Sequence, residues 1–582
     1  MAGDGSYRWI IVVCALILLG LWGYIHLYGW LAGHHWVWAH LDRWLYRRRG
    51  DWVFKKAWAL PLLALGGWAV TRLGGKADVP VFNTAAERFP QEGRLKTNPY
   101  SVNLQTTYVF RGKTRRGWVN LLEPFRGLLV MGSPGSGKSW YVVRPLIEQQ
   151  IRKGFTMFVY DFKYDDLTSL VHRCWKQYGL RATFHLVHFD DLARSQRCNP
   201  LQPDTLSDLA EAAEASRVLL LGLNREWIRK QGDFFVESAI NFLTAIIWFL
   251  RRYQGGKYCT LPHAIELMQT PYDKLFSILR TEPEIEFLVN PFASAYMQNV
   301  MPQLEGQVAG AKISLARLTA PHLYYILSGN DFSLDINDPA APRIVCMGNS
   351  PQKQEVYGAV LSLYVSRLVR QVNRPGKLPC ALVFDEFPTL YFNGMDTLLA
   401  TARSNKVAAT LVVQDMSQLK KEYGREQAEV LLNITGNVIA GQVSGESARQ
   451  LSERFGRILQ ERRSLHQGER SESTGLAYYL DPALPPSRIS TLSSGEMVGV
   501  LSDSPAQPLE HKLFHGRMVR DKEPAEGELP LLDKPPTATD IAECYKQIKE
   551  EIRELVNVAM DRLMHEPDLK HLIVKQKGGG GG

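Results

Sequence analysis

Residues 127–139 read GLLVMGSPGSGKS, and the rest of the chain is best understood outward from them. Gly127–Met131 is a short apolar run of the kind that forms a buried strand. It leads directly into Gly132-Ser133-Pro134-Gly135-Ser136-Gly137-Lys138-Ser139, with the spacing G-x-x-x-x-G-K-S. The next residues, WYVVRPLIEQQIRK, predict a helix. Strand, glycine loop and helix start, in that order, are the context in which backbone N–H groups close around a phosphate chain. Gly132, Gly135 and Gly137 permit the close approach, and Ser133, Pro134 and Ser136 complete the cradle. Lys138 offers charge to the β and γ phosphates, and the Ser139 hydroxyl is suited to Mg²⁺.

The matching half of such a site is Cys380-Ala-Leu-Val-Phe-Asp385-Glu386. An apolar run ending in an acidic pair reads as a buried parallel strand that delivers carboxylates at its C-terminal edge. Asp385 is expected to hold the Mg²⁺ shell, usually through water. Glu386 is expected to polarise an attacking water, which points to hydrolysis beyond nucleotide binding. Further strands are expected at Phe155–Tyr160, Thr183–Phe189, Arg343–Met347, Ala409–Val413 and Val438–Ala440. With helical stretches between several of them, the expected fold is α/β, a mostly parallel sheet of the RecA-like P-loop NTPase type. Gln414 closes the strand Ala409–Val413. A polar residue there can sense the γ-phosphate, and a plain strand-end cap is the alternative.

The interval from Ser139 to Asp385 is too long for a single βαβ succession. Its excess, residues 204–335, reads as helices, among them Ser207–Leu223, Asp233–Arg251, Leu261–Gln269 and Tyr272–Leu279. Asp233–Arg251 is apolar enough to mimic a membrane segment. Asp233, Glu237 and Asn241 interrupt one side, so a buried helix of an inserted all-α domain is expected instead. The nucleotide-binding domain then occupies 81–203 and 336–520, flanking that insertion. Residues 521–582 supply a Pro- and charge-rich linker and a helix that Asp540 is expected to cap. The helix carries an apolar stripe at Ile541, Tyr545, Ile548, Ile552, Leu555, Ala559 and Leu563, which packs on its own body or docks a partner.

The chain has 582 residues, 68 basic and 59 acidic, for a net charge of +9. Hydrophobic and charged contents of 45% and 22% exclude a disordered or collagen-like chain. The charge is concentrated in residues 1–80, which hold nine Lys/Arg against four Asp and nine of the 14 Trp. There Trp9 to Leu31 is almost entirely apolar and long enough to cross a hydrocarbon core of about 30 Å. The shorter run Ala57–Val70 either spans as well or lies in the interface. A single span satisfies the positive-inside tendency, whereas two spans place the basic stretch between them outside. Residues 1–80 are thus expected to form a transmembrane anchor of one or two helices in contact with lipid. The seven Cys are scattered singly, with no C-x-x-C and no His at metal-ligand spacing, which argues against a disulfide framework or a zinc site.

Together these motifs resemble the coupling proteins of type IV secretion and conjugation, the TraG/TraD-like membrane ATPases, and most of all the mobilisation coupling proteins of Bacteroidetes elements. The resemblance runs from about residue 85 to 520. It rests on GSPGSGKS, Asp161-Phe-Lys163, Asn199-Pro-Leu201, the FDEF box at 384–387 and Gln414-Asp-Met-Ser-Gln418-Leu419, with Leu484-Pro-Pro-Ser-Arg-Ile and Gly495-Glu-Met-Val near its close. It implies a hexameric motor at the bacterial inner membrane, usually two-span, with the ATPase body in the cytoplasm. Such a motor binds ATP and Mg²⁺ and passes single-stranded DNA with its bound relaxase to the type IV secretion channel. By the same resemblance Lys138, Ser139, Asp385 and Glu386 are the nucleotide machinery and Gln414 the coupling glutamine. Arg403, in the helix after the FDEF box, is the arginine finger for a neighbour's γ-phosphate. Lys420 and Lys421, and a basic loop with Arg462, Arg463 and Arg470, are candidates for phosphate contacts with DNA. Two other readings of the chain are a nucleotide-switched membrane receptor for protein cargo and a chromosome-partitioning DNA pump.

Overall fold

The computed structural model describes residues 89–110, 112–468, 471–520 and 528–576, together with Gly20. All of these except Gly20 belong to one compact unit, Ala86–Gly582. The segment read as a membrane anchor lies, apart from Gly20, outside the described residues.

The strand that opens the glycine loop is the third in the chain. Before it come β1 (Val102–Phe110) and β2 (Lys113–Leu121), then β3 itself (Leu128–Met131). After it follow β4 (Thr156–Asp161), β5 (Thr183–Val187), β6 (Arg343–Gly348), β7 (Cys380–Phe384), β8 (Val407–Val413) and β9 (Asn437–Ala440). The last four are β10 (Arg457–Gly468), β11 (Ser471–Pro482), β12 (Glu496–Val500) and β13 (Leu513–Val519). Eleven of them form one sheet in the order β2-β1-β13-β12-β9-β3-β8-β7-β4-β6-β5. From β9 to β5 all neighbours are parallel. From β9 outward through β12, β13, β1 and β2 every pairing is antiparallel.

The parallel strands are short, unbroken apolar runs because both of their faces are covered. Leu128 and Val130 of β3 enter one hydrophobic core, and Leu129 and Met131 enter the other. The first core is closed by helices α1 (Arg144–Arg152) and α2 (Asp166–Tyr178), through Leu146, Ile147, Ile151, Leu167, Leu170 and Val171.

The opposite face is covered largely by helices that lie between β5 and β6. They are α3 (Leu209–Leu223), α4 (Phe234–Arg252), α5 (Leu261–Met268), α6 (Tyr272–Leu279), α7 (Glu286–Met297), α8 (Met301–Ala316) and α9 (Pro321–Ser328). Asp233 caps α4 by accepting from the Phe235 and Val236 N–H groups. By length and composition α4 could cross a bilayer, but 72% of its apolar window is buried. These helices share one continuous core with the sheet, for Val218 and Leu219 of α3 belong to the same cluster as Phe158 of β4. Helix α10 (Gln354–Val372) joins them, and its buried Arg367 is ion-paired to Glu211 of α3.

The remaining helices are α11 (Met395–Thr401), α12 (Met416–Tyr423), α13 (Arg425–Ile434), α14 (Gly445–Phe455), α15 (Pro486–Ser490) and α16 (Ala538–His565). Two local expectations need correction. Arg462 and Arg463 lie within β10 of the two-stranded hairpin β10–β11, not in a loop, while Arg470 is outside the described residues. The cap of α16 is Thr537, and Asp540 is its third residue. Thr537 Oγ1 accepts from the Asp540 N–H while the Asp540 carboxylate accepts from the Thr537 N–H, a capping box. The apolar stripe of α16 finds its partner within the chain. Ile548, Ile552, Leu555 and Leu563 are buried in the core shared with α5, α6 and α9, and His263 Nε2 stands 2.9 Å from Glu551 Oε2.

Candidate nucleotide site

The glycine loop leaves β3 between two parallel neighbours, β8 and β9, that come from much later in the chain. A crevice at the C-terminal edge of such a sheet is where ligands of α/β proteins bind. The loop is held from both sides, since Gly132 N–H donates to Val413 O (3.3 Å) and Ser133 N–H to Gln442 O (2.7 Å). A second layer comes from residues just before β12, where Gly495 N–H donates to Ser136 O and the Ser494 hydroxyl to Gly135 O. Gly137 has φ 91°, and a Cβ there would stand 2.7 Å from Cδ2 of Tyr141. Only glycine suits that turn.

The helix after the loop begins with a π-helical turn, Ser139–Val143, before α1. Lys138 precedes that turn, and its ammonium reaches back over the loop to donate to the carbonyls of Gly132 and Ser133. Burial lowers the Lys138 pKa, and the nearby Glu386 and Asp385 carboxylates oppose that shift. The two halves read from sequence thus meet at one edge of the sheet.

Asp385 follows β7, and its N–H donates to Tyr160 O on β4 (3.1 Å). Burial raises its pKa to about 7, with the charges of Asp161 and Glu386 adding to the shift. Asp161, at the end of β4, is the residue that site reasoning from sequence passed over. It is fully buried, and Oδ2 accepts from the N–H groups of Leu167 and Thr168 and from the Thr168 hydroxyl. Burial lifts its pKa to about 6. Its signal was legible, because FVYD at 158–161 repeats the apolar-then-acidic ending of LVFD at 382–385.

Glu386 turns away from the strand with left-handed backbone angles (φ 56°, ψ 55°) and is 8% exposed. Its Oε2 accepts from Gln414 Nε2 at 3.0 Å. The Ser136 hydroxyl and Glu386 Oε1 are buried without a hydrogen-bond partner. A glycine loop, an ammonium and an unpartnered hydroxyl are what a triphosphate needs, and the carboxylates beside them, with a free acceptor on Glu386, suit Mg²⁺ and an attacking water. Ser139 and Asp385 are the residues suited to hold the metal, whose chemistry there would be to neutralise phosphate charge.

Arg403 is not brought to this edge. It lies in the turn after α11, before β8, with its side chain 55% exposed and 3.9 Å from Glu123. Gln414 follows the other end of β8. Seven strand residues at about 3.3 Å each put roughly 20 Å between those edges.

Residues 82–498 match the family described as Type IV secretory system Conjugative DNA transfer. Among solved structures the chain is similar to the unbound monoclinic form of the bacterial conjugative coupling protein TrwBdeltaN70. That match has 14% identity and a TM-score of 0.56, and covers 76% of this chain and 96% of that one. Plasmid coupling protein TrwB in complex with ADP and Mg²⁺ matches at 15% identity and a TM-score of 0.51, over 71% and 88%. TrwB with the non-hydrolysable ATP analogue ADPNP matches at 14% and 0.52, over 74% and 98%. At such identities the likeness is one of fold. No curated protein matches the sequence. The family match spans most of the chain, and this protein belongs to the type IV secretory system conjugative DNA transfer family.

Proposed function

We propose that the chain is the coupling ATPase of a conjugative type IV secretion system, anchored in the bacterial inner membrane. It hydrolyses ATP with Mg²⁺ to drive relaxase-bound single-stranded DNA toward the secretion channel, and it works as a hexamer. The observation that carries the reading is the convergence of Lys138, Asp385, Glu386 and Gln414 on one sheet edge, from segments far apart in sequence. In this reading the Gly132–Ser139 loop binds the phosphates and Lys138 neutralises their charge. Glu386 takes the proton of the attacking water, and Gln414 relays the loss of the γ-phosphate to β8. Arg403, roughly 20 Å away along β8, serves only a neighbouring copy. The domain limits that go with this reading are 81–203 and 336–520 for the nucleotide-binding domain, with 204–335 inserted.

The test is phosphate release by the full chain in lipid nanodiscs, with and without single-stranded DNA, at two salt concentrations. Hydrolysis that rises with DNA, weakens with salt and disappears in Lys138→Ala supports the motor. Hydrolysis indifferent to DNA in assembled hexamers favours a nucleotide-switched receptor for protein cargo.

A further inference from the structure

The turn after α3 and the helix after Gln414 meet over a cavity of about 450 Å³. Its lining holds four cations, Arg225, Arg229, Lys421 and Arg425, against two carboxylates, Glu422 and Glu426. Lys421 and Arg425 are 77% and 82% exposed, and Lys421 reaches Glu422 only at 3.9 Å. Glu422 is shared, standing 3.5 Å from Arg225. Arg425 is paired to Glu429 at 3.0 Å, outside the lining, and with that carboxylate counted the four cations still outnumber three acids along a rim open to solvent.

Gln231 also lines the cavity, and three and four residues beyond it come Phe234 and Phe235. Each is 55% exposed, and their rings meet edge to face with centroids 5.4 Å apart. By chain length they lie within about 14 Å of Gln231. Cations that track a backbone, next to solvent-facing aromatic rings, are the chemistry that holds single strands without regard to sequence.

This cavity also touches the nucleotide site. Arg225 Nη2 donates to Thr389 O at 2.7 Å, and the Tyr423 hydroxyl donates to Leu390 O at 2.9 Å. The Tyr423 ring stacks on Phe387 at 5.1 Å. Phe387–Thr389 is the turn that begins at Glu386, and α12, which ends at Tyr423, begins two residues after Gln414. One wall is thus attached to the glutamate and the other to the glutamine that it binds.

We propose that this cavity and the Phe234–Phe235 pair form a binding site for single-stranded nucleic acid. Phosphates sit on Arg225, Arg229, Lys421 and Arg425, and a base stacks on the phenylalanine pair. The inference rests on the DNA-transfer reading above and adds where the strand is held and how it reaches Glu386 and Gln414.

Fluorescence anisotropy of a labelled oligothymidylate with the full chain in detergent, over a salt series, tests it. Two double variants are used, Arg229→Glu with Lys421→Glu, and Phe234→Ala with Phe235→Ala, each checked for an unchanged thermal melt. The charge variant should flatten the slope of log affinity against log salt by about 1.4, at about 0.7 for each lost phosphate contact. The aromatic variant should bind roughly tenfold more weakly or worse, with the slope unchanged. Wild-type affinity and slope in both variants would overturn the site and leave the DNA-transfer reading intact. Failure of the wild-type chain to bind the oligonucleotide would remove both. An aromatic variant that loses only self-association in sedimentation makes the pair a subunit contact and also overturns the site.

Discussion

The Gln414 side-chain amide donates to one carboxylate oxygen of Glu386 across 3.0 Å, and the other oxygen is buried with no partner. The two residues follow neighbouring parallel strands, β7 and β8. Glu386 has rotated into a left-handed backbone conformation that aims its carboxylate at Gln414. The bond fixes the direction of the group proposed to activate water, and it joins that group to the helix that follows.

Glu386→Gln keeps the volume of the side chain and removes the base. Phosphate release should fall by about 10²–10⁴-fold, the usual worth of a general base, while nucleotide affinity stays close to wild type. Single-turnover phosphate release and titration with a fluorescent nucleotide separate the two. Gln414→Ala should lower DNA stimulation more than basal turnover, because the base remains but its link to α12 is gone.

Arg403 sits at the sheet edge opposite its own glycine loop, so the arginine finger proposed here would act on the site of another copy. Arg403→Ala and Lys138→Ala chains should each be inactive alone. Mixed and co-assembled, they should recover measurable hydrolysis, since an intact Arg403 then meets an intact Lys138 site. Mixtures no better than the separate chains would show that Arg403 has no such role.

Gly137 tests the loop geometry. Gly137→Ala places a methyl group against Tyr141 at a backbone angle that alanine avoids. The cost is about 1–2 kcal/mol locally, and nucleotide affinity should drop sharply while the far-UV circular dichroism spectrum is retained.

Glu496 lies between His515 Nε2 at 2.7 Å and Arg488 at 2.9 Å. The His515 hydrogen bond, with help from Arg488, lowers its pKa from 4.5 to about 2. A carboxylate whose folded pKa is depressed stabilises the fold above its unfolded pKa and loses that contribution as pH falls. Urea midpoints should therefore decline between about pH 4.5 and pH 2. Glu496→Gln should flatten that acid limb and lower the midpoint at neutral pH.

The phosphate loop and the strands around it were readable along the chain. Burial on both faces turns each parallel strand into an unbroken apolar run, and the predicted runs at 155–160, 343–347 and 380–384 lie within one residue of β4, β6 and β7. The antiparallel extension was not readable. Exposure leaves the first part of β2, Lys113–Arg116, polar, and no apolar pattern marks it as a strand. The position of Arg403 was not readable either, because nothing in its local sequence says that it lies in the turn before β8, at the strand end away from Gln414.

Local chemistry thus decided which residues can hold phosphate, metal and water, since glycine spacing and strand-end carboxylates are properties of short segments. Strand order decided who meets whom. Asp161 adjoins Asp385 only because β4 inserts between β6 and β7. Arg225 reaches the turn after Glu386 only because the helices after β5 pack on the same sheet face. Such neighbours, more than a hundred residues apart in sequence, are brought together by long-range burial, which no window of sequence records.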